Sequence, residues 1–475
     1  MKVRLTLAAF LAAGSSALAQ PAPQPQQRPA GAPEVVQPAT TELGELQKDV
    51  DGLFSPGGLT ADQAASRAAK VSPEVMRAVA ELDVAIANTQ AAELSRVPLV
   101  SGKASYTRLS PIDPLSFGPG FPPLEFPDNS YALNGQVAVP VSDYFLRFPK
   151  IIDAAKLAQL SASTRKTSAE IGAAQEARLA YYEWLRAQLQ VLVGQHQLAS
   201  LQTVVKQMKA LADAQRVSKA DLMRVQSQEA EAQRLNDQLS RLAALREEQL
   251  RLLIGAGDEK LTLGEDPRLD VTPPPSRDLD DLIKEASHNR LELRALDFGI
   301  EAKEKQRDSE KANQLPTLSA FASGDYANPN QRIFPQKEEW NFTWAAGVQL
   351  SWTLNNTLFA TNARKRIASE TDALRADREA FLRGTRIELL AAQQAVQVAQ
   401  LSLDTTRTGL EASQEGYRVR RELLNAERAT AVELVDAQTD LTRALIAAIN
   451  ARVDLRVAMA QLAHALGEDA PKSGH

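Results

Sequence analysis

The sequence predicts a mainly α-helical, internally duplicated protein with a membrane β-barrel part. Each chain would supply two pairs of β-strands and two long coiled-coil hairpins. Three observations carry this reading. The chain resembles itself at a nearly fixed offset. Two helical stretches, Lys150 to Leu211 and Ala360 to Leu424, run without a proline. And residues 344–354, "WAAGVQLSWTL", alternate apolar and small or polar side chains with period two, the pattern of a strand with one oily and one wet face.

The first residues direct the chain out of the cytoplasm. Lys2 and Arg4 precede an apolar run, Leu5 to Ala13, that is too short to span a bilayer, and Ala17-Leu18-Ala19 fits a cleavage site. Residues 1–19 are therefore expected to be a signal peptide. Its removal leaves 52 basic and 59 acidic residues, a charge of −7. This mild acidity argues against nucleic acid as a partner. The chain has no cysteine, which excludes disulfides, thiolate metal sites and a lipidated N-terminal cysteine. The most apolar later stretch, "ALIAAINARVDLRVAMAQLAHAL", is interrupted by Arg452, Asp454 and Arg456, so a membrane would have to be entered as strands.

Residues 20–57 are expected to begin as a Pro-, Gln- and Ala-rich flexible arm. The first structural repeat follows over 58–254, a surface linker over 255–276, the second repeat over 277–467, and a polar tail over 468–475. "SPEVMRAVAELDVAIANTQAAELSRVPLVSGKASY" (72–106) resembles "NRLELRALDFGIEAKEKQRDSEKANQLPTLSAFASGDY" (289–326). Glu74 matches Glu292 and Pro98 matches Pro316, both 218 apart; Gly135 matches Gly347 and Asp221 matches Glu433, both 212 apart. A fixed offset with a small drift indicates duplication.

Each repeat reads as helix, strand, loop, strand, long helix, turn, shorter helix. The first helix of each stops before Pro98 or Pro316, where helices seldom continue. The strand "YALNGQVAVPV" sets Leu133, Val137, Val139 and Val141 against Asn134, Gln136 and Ala138. The loops linking the strands are rich in Pro and turn formers. At about 1.5 Å per residue the long helices span roughly 90–100 Å each. Helices of that length are expected to pack along one another as coiled coils. In the last helix Leu434, Leu441, Ala448, Leu455 and Leu462 recur every seven residues. Ala437, Ala444, Ala451, Ala458 and Ala465 form a parallel column of small residues, so that helices can approach closely.

Trp344 and Trp352 lie eight residues apart, roughly 26 Å along a strand. In a tilted strand that separation approaches the height between the two aromatic girdles of a membrane barrel. Both are expected to be girdle residues in contact with outer-membrane lipid. Four strands cannot enclose a lumen, and an open sheet edge in lipid would leave backbone groups unpaired. Other copies of the chain must therefore complete the barrel, two giving eight strands and three giving twelve.

Taken together, "SPEV…RVPLVSGKASY", "NRLELRALDFGIEA…LPTLSAFASGDY", "GVQLSWTL", "VSKADLMRVQSQ", "RATAVELVDAQTDL" and "AMAQLAHALG" resemble the outer-membrane efflux protein family, the TolC-like channels of Gram-negative bacteria. The resemblance spans roughly residues 58–467. It implies a homotrimer with a twelve-stranded barrel in the outer membrane and a twelve-helix tunnel reaching into the periplasm. Such a trimer serves as the passive exit duct of a tripartite efflux or type I secretion system. Its partners are a periplasmic adaptor and an inner-membrane pump.

By the same resemblance the adaptor-contact tips are Gln215, Arg216, Val217 and Ser218 in the first repeat and Glu427, Arg428, Ala429 and Thr430 in the second. Gln215 and Glu427 stand where the family commonly has glycine. Asp221, Glu433 and Asp436 are the candidate pore constriction. Glu433 and Asp436 are three apart and share one helix face, and in a symmetric channel each becomes a carboxylate ring that favours cations. The same acids near helix starts also suit capping, with Ser218 and Thr430 as N-caps. Arg216 or Arg428 could latch a neighbouring tip.

No catalytic motif is found: there is no HExxH, phosphate loop or nucleophile elbow. His196, His288, His464 and His475 are scattered. No enzyme activity, cofactor or metal is expected. The other reading is a periplasmic coiled-coil scaffold, which explains the heptads and leaves the strands without a purpose.

Overall fold

A computed structural model of the chain describes residues 39–115, 118–120, 126–269, 271–426 and 428–469. The expected signal peptide, the first part of the Pro-rich arm, Glu427 and most of the polar tail, His475 included, lie outside these residues.

The chain opens with α1 (Ala39–Leu53) and β1 (Phe54–Leu59). The first repeat then runs through α2 (Ala61–Val71), α3 (Pro73–Leu94), β2 (Leu99–Arg108), β3 (Asn129–Val139), the short α4 (Asp143–Leu146), α5 (Phe148–Asp213) and α6 (Lys219–Ile254). The second runs through α7 (Leu279–Asn289), α8 (Leu291–Ser309), a 3-10 turn at Ala312–Gln314, β4 (Thr317–Asn328), β5 (Asn341–Ser351), α9 (Leu354–Asn425) and α10 (Ala431–Leu466). No described helix is long and apolar enough to cross a membrane.

The repeat is written into the helix ends. Gly255 closes α6 and Gly467 closes α10, both at positive φ, 63° and 71°. In each the second N–H past the helix reaches back to a carbonyl, Ala256 to Arg251 at 3.0 Å and Glu468 to Ala463 at 3.0 Å. Both glycines sit against the residues at which the repeat's first helix ends, Val71 in one half and Asn289 in the other.

Three regions differ from the sequence expectation. The single helix expected ahead of each strand pair is two helices. Ser72 caps α3 with Pro73 as its first residue, and Arg290 occupies the matching break in the second half. The flexible arm expected over 20–57 is ordered from Ala39 onward. Leu46 is buried and Val50 and Leu53 pack on the core, an i, i+4, i+7 apolar face that holds α1 down. The surface linker expected over 255–276 is anchored at its centre. Leu261 and Leu263 are buried, and Leu263 bridges both Phe54 and Leu59. Gly58 and Gly264 pass so closely there that neither could carry a Cβ.

The expected heptad seam is present. Leu434, Leu441, Ala448, Leu455 and Leu462 are all buried, as are Ala451, Ala458 and Ala465. Each leucine so buried contributes about 1.5–3 kcal/mol, and the alanine column lets α10 lie close to both α9 and α5. Apolar clusters follow one another along the bundle. One gathers Tyr181, Trp184, Leu185 and Val453, and another, near the hairpin turns, gathers Val205, Met208, Val225 and Val435.

The strands form one antiparallel sheet in the order β2-β3-β4-β5. Its register places Leu133, Tyr326 and Phe342 in one row and Gly135, Gly324 and Trp344 in the next row of the same face. Gly324 leaves room for the Phe342 ring, which would lie 3.0 Å from a Cβ there. The strand rises and falls around these rows expose one apolar face. The opposite face carries the row Lys103, Asn134, Asp325 and Thr343. β2 and β5 are the open edges.

Candidate functional site

The tips are two helix–turn–helix junctions built alike. At the first, Gln215 takes φ 59°, the left-handed region that usually falls to glycine. Its N–H donates to Ala212 at 2.9 Å and the Arg216 N–H donates to Leu211 at 2.8 Å, closing α5 with the bond pattern that glycine normally serves. At the second tip the Arg428 N–H donates to Leu423 at 2.8 Å, the same closure 212 residues on. Val217 packs on the apolar cluster below the turns. Ser218 and Thr430 then start α6 and α10. Ser218 Oγ accepts from the Asp221 N–H at 3.1 Å, and Thr430 Oγ1 accepts from the Glu433 N–H at 3.3 Å.

The three candidate acids have different partners. Asp221 stays within its own cap, accepting from the Ser218 hydroxyl at 2.7 Å. Glu433 accepts from Arg420 Nη1 at 2.9 Å, a bond across the α9–α10 hairpin. Asp436 reaches the other hairpin, where it accepts from Arg224 Nη2 at 3.4 Å and Gln228 Nε2 at 3.1 Å, both on α6. The tip thus carries an ion pair within one hairpin and another between the two. Arg224 and Arg420 were not singled out in the sequence, where Arg216 and Arg428 were weighed as latches. The signal for Arg224 was present: it stands 212 residues before Asp436, at the same position of the repeat. A little further up α9, Arg418 donates to Glu415 at 2.8 Å and holds its carboxyl below the usual carboxylate range by that hydrogen bond.

At the other end, the sheet face that contains Trp344 is apolar and exposed. Val100, Tyr106, Leu133, Val137, Leu318, Tyr326, Phe342, Trp344, Val348 and Leu350 all point outward. Trp352 lies one residue beyond β5 and is also exposed, while Trp344 lies within β5, where the apolar face continues past it through Phe342 toward the loop end. Trp340 stacks on Tyr326 at 4.9 Å, and Tyr106 lies 5.0 Å from Tyr131, which gathers aromatic rings at the loop end of the strands. On the polar face Asn134 Nδ2 donates to Asp325 at 2.6 Å.

Among the described residues no group of three or more His, Asp or Glu side chains could hold a metal ion. His196 and His464 are each paired with one carboxylate, Asp49 at 2.7 Å and Asp469 at 2.8 Å, and are far apart in the sequence.

Comparison with known proteins agrees with this geometry. Residues 282–468 match the model of the outer membrane efflux protein family. No curated protein matches the chain by sequence. Among solved structures it is similar to the CmeC outer membrane channel of Campylobacter jejuni, at 12% identity over 90% of this chain and 89% of that one, with a TM-score of 0.71. It is also similar to a membrane protein from Pseudomonas aeruginosa, at 18% identity over 86% of this chain and 92% of that one, with a TM-score of 0.70. A third is the MtrE outer membrane channel of Neisseria gonorrhoeae, at 16% identity over 86% of this chain and 88% of that one, with a TM-score of 0.69. At such identities the structures establish a shared fold, and within the chain it is the second repeat, residues 282–468, that matches the outer membrane efflux protein family.

Proposed function

We propose that three copies of this chain close a twelve-stranded barrel in the outer membrane, continued into the periplasm by a tunnel of twelve long helices. The trimer is a passive exit duct. A periplasmic adaptor and an inner-membrane pump, engaged at the 215–218 and 427–430 turns, supply the energy and choose the cargo. Asp221, Glu433 and Asp436 line the constriction at that end, and Arg224 and Arg420 hold it narrow. Trp344 and Trp352 sit at the two faces of the membrane.

The observation that carries this reading is the four-stranded sheet. One face is continuously apolar and exposed, the other is polar, and both edge strands are unpaired. In water such a face would aggregate. In lipid the face is satisfied, but the edges are not, since unpaired backbone groups there cost several kcal/mol each. Ring closure with further copies satisfies both. A scaffold of the periplasm would have no use for this sheet.

The test is native mass spectrometry of the particle extracted from outer membranes in detergent. A mass of three mature chains, with heat-modifiable gel migration, is the expected result. A water-soluble particle of one or two chains would overturn the duct and return the scaffold reading.

A further inference from the structure

The apolar surface of the sheet does not end at Trp352. β5 passes into α9 after two residues, and the first turns of α9 carry Leu354, Leu358 and Phe359, each 65–69% exposed. The first repeat does the same. Leu146 stands 212 residues before Leu358, and both it and Phe145 are exposed. Leu358 lies one turn into α9, about 6 Å beyond Leu354. That is close to the thickness of the polar zone on one side of a bilayer.

Charges of a single sign follow. From Ser351 to Ser369 there is no acidic residue, and the charged ones are Arg364, Lys365 and Arg366. The three are held differently. Arg364 donates to Gln314 at 3.4 Å, and Arg366 donates to Glu370 at 2.6 Å, one turn further from the sheet. Lys365 is exposed and makes no ion pair among the described residues.

Leu354, Leu358 and Lys365 form one stripe of α9, since spacings of four and seven return to the same face. The opposite side, with Ala360, Ile367 and Thr371, is buried, and α8 lies along α9. The stripe therefore looks away from the chain's own bundle. Lys365 follows Leu358 by seven residues, about 10 Å. Helical side chains lean toward the N-terminus of their helix. In α9 that is the sheet end, so the four-carbon stem of Lys365 runs back toward Leu358 and carries its ammonium to the level of the headgroups.

We propose that Lys365 holds the headgroup phosphate of an anionic phospholipid at the periplasmic face of the membrane, with Leu354 and Leu358 against the start of its acyl chains. The site rests on the outer-membrane reading and adds the chemistry of the lipid. The stripe continues the apolar surface that begins on β5, which makes lipid its occupant. The acid-free stretch selects the headgroup: a lipid with its own ammonium would meet Lys365 with like charge and find no carboxylate nearby. In the first repeat Asp153 stands in the place of Lys365, so the site occurs once per chain.

Trp352 can report on it. In a particle carrying Trp340→Phe and Trp344→Phe it is the one tryptophan left near lipid, because Trp184 is buried in the helical bundle. The particle is reconstituted in equal parts of phosphatidylglycerol and phosphatidylethanolamine, with bromine on the acyl chains of one or the other. Trp352 should be quenched more strongly when the phosphatidylglycerol is brominated. One lysine at an anionic surface corresponds to about a fivefold local enrichment. The excess should vanish near about 1 M salt. It should also vanish in Lys365→Gln and return in Lys365→Arg. As a second readout, native mass spectrometry of the trimer with its tryptophans intact, titrated with phosphatidylglycerol, should show one lipid retained per chain and fewer in Lys365→Gln. Equal quenching by the two lipids, the result expected if a neighbouring copy covers Lys365, overturns the site and leaves the duct standing. An excess that survives Lys365→Gln does the same. A particle that is not a trimer, or that neither lipid quenches, overturns both.

Discussion

In the proposed duct, Arg224→Gln should open the periplasmic end. The substitution removes the ion pair to Asp436 but keeps the helix and the Gln228 bond to the same carboxylate. The pair is 3.4 Å long, and its side chains are 59% and 49% exposed. An exposed pair of that kind contributes about 0.5 kcal/mol. A trimer holds one such pair per chain, so the concerted opening of three tips recovers about 1.5 kcal/mol. Since 1.4 kcal/mol corresponds to a factor of ten, the open fraction should rise about tenfold. Single-channel recording in planar bilayers reads this directly. The difference between variant and parent should be large at 0.1 M salt and nearly vanish at about 1 M, where screening falls to about 3 Å. The charge swap Arg224→Asp with Asp436→Arg should return the parent behaviour. An unchanged open fraction at low salt, or a swap that behaves like the single variant, would refute a latch between the hairpins.

Other outcomes follow from the same geometry. Glu433→Gln should weaken cation preference, read as a shift in reversal potential across a salt gradient; an unchanged potential would remove Glu433 from the constriction. Val348→Lys puts a charge on the lipid face and should cost about 2–4 kcal/mol near the midplane, seen as loss of heat-modifiable trimer, whereas Gln349→Lys on the other face should be tolerated. Gly467→Ala should destabilise the chain by about 1–2 kcal/mol from its left-handed backbone alone, and more than Gly255→Ala. Its Cβ would meet the backbone of Asn289 at 3.1 Å, while that of Gly255 meets only the side chain of Val71; denaturant midpoints of the two variants compare them. Burial opposes ionisation of Asp266, but hydrogen bonds from the Arg268 side chain and backbone outweigh it and lower the carboxyl's pKa. The anchoring of α1 to the linker through Arg268 and Asp51 is then fully present above the ordinary carboxylate range and lost as pH falls below it. Proteolysis near residues 39–59 should accelerate there, and Asp266→Asn should be equally sensitive at neutral pH.

Much of this molecule is legible from its sequence, for identifiable reasons. The heptad columns of α10 and the alternation in β5 are periodic, and period alone decides which face is buried. The tip caps are short-range, set by Ser218 and Thr430 three residues ahead of an acid. What escaped is long-range or weakly periodic. The α1 face rests on Leu46, Val50 and Leu53, too few turns to stand out beside a Pro-rich stretch. Leu261 and Leu263 lie in a segment whose Gly and Pro content suggests solvent, and only the close passage of Gly58 and Gly264 shows why they are buried. The partners of Glu433 and Asp436 sit 13 and 212 residues away, beyond any local rule. Gln215 departs from the usual residue at its turn, yet the turn keeps its shape, because the backbone bonds to Leu211 and Ala212 fix the conformation.

Arg224 and Asp436 occupy the same place in two copies of one ancestral hairpin, with opposite charge. A freshly duplicated chain would have carried the same residue twice, and its hairpins could have met in any order around a ring. Once one copy holds Arg and the other Asp, a hairpin set beside its own kind faces a like charge, and one set beside the other kind finds a partner. The divergence works as an address label. In the proposed ring it favours alternation of the two kinds of hairpin over a chain that enters with its halves exchanged.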